Sequence, residues 1–295
     1  MLTRVTNQMT ALQSQQHLQA SAARLSHQQD RASSLKAIGV PSDDPAGAAE
    51  ALRVKGLQSA AAQHGRNVDD GAGWLTTADS ALSSADAVLA KVRQLTLQGA
   101  NEGALSPEAR RAIATEIDGL SSDLLATANA SYAGRSVFAG TSDAGVAFTP
   151  DRSFTGAPGA EVVRRVGPET TVRVDADGAL AFGTGDDSVF ALLGRISADL
   201  RSGTTNVATH LTALDTRVGA LRGVQSDVGA RHAQLLRAED TLMDTSVTLE
   251  AQRAGLEDLD LGRAVLDLQL QQNSYQAALA VTAKVLQTSL MDFLR

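Results

Sequence analysis

The 295-residue chain contains no cysteine. That absence excludes disulfides, thiolate nucleophiles and thiolate metal sites together. Aromatic residues make up only 3% of the chain against 43% apolar residues. Alanine and leucine must therefore supply most of the buried surface, which favours closely packed helices over a β-sandwich or a large ligand cavity. An excess of cations is missing as well. A net charge of -7 and a pI near 5.2 argue against nucleic acid as the main partner, because neutralising phosphate takes clustered Lys and Arg. Long apolar runs are lacking: "AALAV" at 277–281 is far too short to span a bilayer, so no membrane insertion is expected. The opening "MLTRVTNQMTALQSQQHLQASAARLSHQQ" has no apolar h-region and does not read as a cleavable secretory signal. Its lack of acids (only Asp30 in the first 42 residues) would suit a transit peptide, but its glutamine richness, shared with the C-terminal arm, argues against one. If the chain leaves the cytoplasm, it is expected to do so without losing its end.

What is present is helical periodicity over 1–137 and 186–295. The fold class expected is mainly α: a long antiparallel helical bundle or coiled coil built from both chain ends, with a small β-rich domain inserted in the middle. Near the N-terminus Leu2, Val5, Met9, Leu12, Gln16, Gln19 and Ala23 alternate in threes and fours. Near the C-terminus Leu261, Val265, Leu268, Gln272, Tyr275, Leu279, Thr282, Leu286, Ser289 and Phe293 do the same. Each arm thus carries one ridge along a helix and needs a partner to be stable. The other arm is the simplest partner, and copies from neighbouring molecules come next.

A longer stripe runs Val207, Leu211, Leu214, Val218, Leu221, Gln225, Val228, His232, Leu235, Glu239, Leu242, Ser246, Leu249, Arg253, Leu256, a helix of about 75 Å at 1.5 Å per residue. Leu236, Met243 and Val247 widen its apolar face, which predicts packing against more than one helix. The facing stripe is Ala61, His64, Val68, Gly71, Leu75, Ala78, Leu82, Ala85, Leu89, Val92 and Thr96. A further helix is expected from Ser106, with Ser as N-cap and Pro107 in the first turn; it carries Ile113, Ile117, Leu120 and Leu124. Between the halves, five of the six Phe fall within 138–190 and the period switches to two. There "TVRVDADGALAF" predicts strand, turn, strand, with Val172 and Val174 opposite Leu180 and Phe182.

Chemistry-bearing constellations are scarce. In "GVPSDDPAGAAEALRVKG", Asp44 stands directly before Pro45 and reads as a helix N-cap, with Asp43 adding charge at the positive end of the helix dipole. A catalytic Asp pair would need a second group to split its acidities, and none is nearby. The five His show no i,i+4 pairing and no H-E-x-x-H setting; His64 and His232 fall on helical seams, as hydrogen-bonded packing residues would. "DADG" lacks the rest of a calcium loop, and Trp74 is expected to anchor helix packing. No catalytic, metal or cofactor site is expected.

The segments "VPSDDPAGAAEALRVKG" and "HGRNVDDGAGWLTTADSALSSADAVLAKVRQLTLQGANEG" resemble the flagellin superfamily of bacteria. The matching positions are Ser42 to Gly47, Arg66, Asn67, Asp70, Gly71, Ala78, Ala81, Leu82, Val92, Arg93, Leu95, Gln98 and Asn101. "ANASYAGRSVFAGT" (129–141) is similar to the segment that enters the family's outer domain, and "DLDLGRAVLDLQLQQNSYQAALAVTAKVLQTSLMDFLR" to its C-terminal assembly helix. "GAGWL" departs from the family, which is usually more aliphatic there. The opening "MLTRVTNQM", the ending "SLMDFLR" and the small insertion are closer to the hook–filament junction members than to filament flagellin, which stays as the alternative.

The resemblance implies a structural, non-enzymatic subunit. It would be exported unfolded through the flagellar type III apparatus and placed in the extracellular flagellum between hook and filament. The implied partners are a ring of like subunits, the adjacent hook-associated junction protein, flagellin and a cytoplasmic export chaperone. It implies terminal assembly helices over 1–41 with 257–295, a helical bundle over 42–137 with 186–256, and a β-rich outer domain over 138–185. Arms disordered in the monomer would order on assembly. The implied assembly face is Leu2, Val5, Met9, Leu12, Leu261, Val265, Leu268, Tyr275, Leu279, Leu286 and Phe293. A chemoreceptor-like coiled coil would need heptads unbroken across the midpoint, and the insertion contradicts that.

Overall fold

A computed structural model describes residues 2–100, 105–157, 159–203 and 207–293, with side chains described for Met9 and, within those ranges, for 12–284. Among these residues, seven α-helices and four short strands follow in the order α1 Leu2–Ser34, α2 Pro45–Gly99, α3 Pro107–Ala128, β1 Ser131–Tyr132, β2 Arg135–Ser136, β3 Val163–Arg165, β4 Thr171–Arg173, α4 Gly178–Phe182, α5 Val189–Ser202, α6 His210–Glu257 and α7 Leu261–Phe293. The expected class, mainly α with a small β-rich insertion, is the observed one. Internal contacts divide the chain into two units, 1–60 with 246–295 and 61–245; α2 and α6 contribute to both.

In the larger unit, α2 and α6 run antiparallel. Asp79 meets Gln225, Asp86 meets Arg222 and Asp215 meets Arg93, in reversed order along the two helices. The α2 stripe is buried from Val68 to Thr96 through Leu75, Ala78, Leu82, Ala85, Leu89 and Val92. Leu214, Leu221, Val228 and Leu235 of α6 are buried seven residues apart. Leu236, Met243 and Val247 differ from expectation: each is at least half exposed, because no other described helix of the chain covers that side of α6. Ser106 caps α3, its Oγ accepting from the Ala109 N–H at 3.2 Å, and α3 buries Ile113, Ile117 and Leu124.

Two antiparallel ribbons lie mid-chain, β1–β2 just ahead of the predicted insertion and β3–β4 inside it, the latter pairing Arg164 with Val172. The insertion's second predicted strand is a correction. "GALAF" is the helix α4, started by Asp177, whose carboxylate accepts from the Leu180 N–H at 3.0 Å. Capping of the four-residue spacing that buries Gly178, Ala181 and Phe182 overrides the apparent alternation and leaves Leu180 exposed. β4 therefore pairs with the strand before it.

The five phenylalanines of 138–190 form one cluster. Phe148 lies 5.1 Å from Phe154, 5.7 Å from Phe182 and 5.1 Å from Phe190, centroid to centroid, and Phe182 meets Phe138 edge-on. Asn129 ties this cluster to α3: its Oδ1 accepts from the N–H groups of Ala147 and Phe148, and its Nδ2 donates to the Phe148 carbonyl. The insertion shares a single apolar cluster with α2, α3, α5 and α6.

The family-like residues of α2 receive the β3 strand. Asn67 Nδ2 donates to the Arg165 carbonyl at 2.7 Å, His64 Nδ1 lies 3.3 Å from the same oxygen, and Asp70 pairs with Arg164 at 2.6 Å. Arg164 lies over Trp74 at 5.9 Å, and Trp74 also meets Tyr132. This accounts for "GAGWL". A Cβ on Gly73 would fall 2.5 Å from the Tyr132 hydroxyl, and one on Gly71 3.0 Å from Val174 and 3.1 Å from Leu235. An aliphatic run there would displace the insertion.

Candidate assembly interface

The smaller unit holds the two arms. α1 and α7 pair antiparallel: Ser21 meets Gln271, and Lys36 bridges Asp258. The seam consists of Ser14, Leu18, Ser21, Leu25, Gln28 and Ala32 on α1 against Ala264, Leu268, Gln271, Tyr275, Ala278 and Thr282 on α7, all buried or half-buried. Both sets follow a heptad. Six of the twelve are polar, and Gln271 Nε2 donates to both the carbonyl and the hydroxyl of Ser21.

The predicted face is divided by this geometry. Leu268 and Tyr275 lie in the seam. Leu261, Val265 and Leu279 border it and remain 54%, 55% and 41% exposed. Met9 and Leu12 are 69% and 61% exposed, because at 100° per residue they lie nearly opposite the α1 seam. Gln16, Gln19 and Ala23, farther along that stripe, are exposed too. The side chains of Leu2, Val5, Leu286 and Phe293 lie outside the described residues.

A further ridge was not anticipated from the sequence. Leu266, Leu270 and Val281 are 62%, 65% and 62% exposed on the side of α7 away from the seam. Their spacings of four and eleven residues place them on one helical face, and that spacing is the signal that could have found them. α7 is thus apolar on the seam, along the seam's border and at its back. A helix apolar on several sides is one that becomes buried on several sides.

The loop 35–44 before α2 is held by its carboxylates. Asp44 Oδ1 accepts from the N–H groups of Ala46 and Gly47 at 3.1 and 3.0 Å. Asp43 Oδ2 accepts from those of Gly39 and Val40, both at 3.0 Å, and its Oδ1 lies 3.2 Å from His27 Nε2. The Val40 N–H first, then His27, hold the Asp43 carboxyl below its usual value. Both carboxylates of the pair are thus engaged in holding the local backbone. Replacing Asp44 with Ala is expected to cost about 1 kcal/mol, read as a lower urea midpoint at unchanged slope.

Among the described residues no group of three or more His, Asp or Glu is placed to hold a metal ion, and no helix is long and apolar enough to cross a membrane. An open groove lined by Thr76, Thr77, Ser80, Ala81, Ser84, Thr127 and Ala130 contains no titratable side chain.

Comparison with known proteins supplies the context. The profile of the bacterial flagellin N-terminal helical region matches residues 5–143, and that of the flagellin C-terminal helical region matches 211–294. Polar flagellin F of Vibrio parahaemolyticus is 31% identical over 137 residues, 46% of this chain and 36% of the relative. Flagellar hook-associated protein 3 of Escherichia coli is 25% identical over 226 residues, 76% of this chain and 68% of the relative. The matches span only 36% to 42% of the length of the first such flagellins. Among solved structures, the flagellar junction protein FlgL of Legionella pneumophila superposes with a TM-score of 0.57 at 17% identity, covering 70% of this chain and all of that one; this likeness is one of fold.

Proposed function

This chain belongs to the flagellin superfamily, and we propose that it is a structural subunit of the bacterial flagellum that forms the hook–filament junction. The observation that carries an assembly role is the apolar ridge at the back of α7, with its counterpart at Met9 and Leu12 of α1. Together these leave the arms incomplete in one chain. The seam, half of whose residues are polar, leaves these apolar side chains uncovered. In the proposed role residues 1–41 and 257–295 are the assembly arms, and like subunits in a ring cover their outer faces. One end of that ring meets the adjacent hook-associated junction protein and the other meets flagellin. A cytoplasmic chaperone covers the α7 ridges before export.

The opening "MLTRVTNQM", the ending "SLMDFLR" and the likeness to hook-associated protein 3 support the junction reading. The filament reading draws on a flagellin of Bacillus subtilis, 23% identical over 95% of both chains. A seeding experiment separates the two. Purified protein offered to hook ends adds one limited layer if it is a junction subunit. Long filaments grown from short seeds of the same protein would overturn that reading.

A further inference from the structure

Both helical strands of the smaller unit are interrupted at one level. α1 gives way to the loop 35–44, and α6 and α7 are separated by residues 258–260. The interruptions are stitched to each other. The Ala37 N–H donates to the Glu257 carbonyl at 2.7 Å, and the Leu259 N–H donates to the Leu35 carbonyl at 3.0 Å. Leu35 is left-handed, with φ of 58°, a conformation unusual for a bulky residue that the surroundings must enforce.

At the centre of the stitch lies a carboxylate. Glu257 is 6% exposed and, with Asp175, one of two buried acids among the described residues. Lys55 of α2 donates to its Oε1, and Arg253 Nη1 lies 3.7 Å from its Oε2. The two breaks also carry Lys36, bridged across them to Asp258, and the acids Asp43, Asp44 and Asp260. Arg253 is also held by the exposed Glu250, and the His27–Asp43 pair orders the far side of the loop. A buried acid here is not needed for helix formation. It is costly to desolvate unless its partners are fixed, so its place at the stitch between the two breaks calls for a role.

We propose that the paired break is a joint and Glu257 its latch. With the carboxylate bound to Lys55, residues 35–37 and 257–259 form one clasp and the arm pair is locked to the ends of α2 and α6. With that ion pair broken, both interruptions open together and the arm pair swivels. The joint lets arms of a fixed helical pairing adopt different inclinations, a property that does not depend on the junction role. Lys55 is the largest cause holding the Glu257 carboxyl below its ordinary 4.5, against the opposing effect of burial. The latch is therefore complete above about pH 4.5 and weakens as the pH falls below it.

Amide hydrogen exchange of the full chain at neutral pH tests this. In Glu257→Gln, exchange at Ala37 and Leu259 is expected to accelerate at least ten-fold, with no change in the α2 segment from Leu75 to Leu89. Lys55→Gln should reproduce the effect, and the double variant should be no faster than either single one. Glu250→Gln, which alters an exposed partner of Arg253 and Gln58 and leaves Glu257 and Lys55 in place, should leave both amides unaltered. Unchanged amides in Glu257→Gln, acceleration spread over the whole chain, or additive effects of the two substitutions would each overturn the proposal.

Discussion

Placing Glu at both Leu270 and Val281 is expected to abolish incorporation of the subunit while leaving the isolated chain folded. In one chain these side chains are 65% and 62% exposed, so the substitutions should change its stability by no more than about 0.5 kcal/mol each. In the assembly, each carboxylate would be sealed into an apolar contact without a partner, at a cost of several kcal/mol. Even about 3 kcal/mol corresponds to a loss of more than ~100-fold in affinity, and a subunit that touches neighbours on two sides incurs it at more than one contact. Circular dichroism and urea unfolding should overlay those of the unaltered chain, whereas addition to hook ends should vanish. Leu180→Glu provides the control. Leu180 is equally exposed, at 64%, but sits on the insertion, and its replacement should leave addition intact. Loss of addition in the control as well would show that any added acid is disruptive and that the α7 ridge has no special role.

The second large effect lies in the larger unit. Phe148 is 1% exposed and contacts three other rings. Truncating it to Ala removes a full aromatic side chain from a close-packed site, at a cost of about 3–5 kcal/mol. For a unit of this size that is roughly 6–20 °C in melting temperature. The loss should report on helices as well as on the insertion, because the rings share one apolar cluster with α2, α3, α5 and α6. A transition confined to the insertion, with the helical signal melting where it did before, would show that the insertion is an independent domain. Asn129 sharpens the test: Asn129→Ala deletes three hydrogen bonds to the segment carrying Phe148 and should move the same transition in the same direction.

Legibility from the sequence followed the strength of the local pattern. The α2 stripe from Val68 to Thr96 and the start of α3 at Ser106 were readable because burial there is dense and the cap is local. The arms were readable as helices that pair with each other, but not in which faces meet. Along α1 several faces offer a mixture of Leu, Ala, Ser and Gln, so the ridge through Met9 and Leu12 and the seam through Leu18 and Leu25 compete on nearly equal terms. Only the partner helix decides between them. The ridge of Leu266, Leu270 and Val281 was hidden by a stronger heptad through Leu268 and Tyr275. In the insertion, the alternation of "TVRVDADGALAF" concealed a short helix whose signal, Asp177 before Gly-Ala-Leu-Ala, was present but overruled by a period of two. The clasp at Glu257 could not be read at all, since it joins residues that lie some two hundred positions apart in sequence.

Cysteine accessibility gives the most direct test of whether neighbouring subunits complete the arms. Because the chain has no native cysteine, a single Leu270→Cys variant can be labelled with a maleimide before and after incorporation at hook ends. Rapid labelling of the free chain and near-complete protection once incorporated is the predicted result. Equal labelling in both states, with incorporation intact, would contradict it.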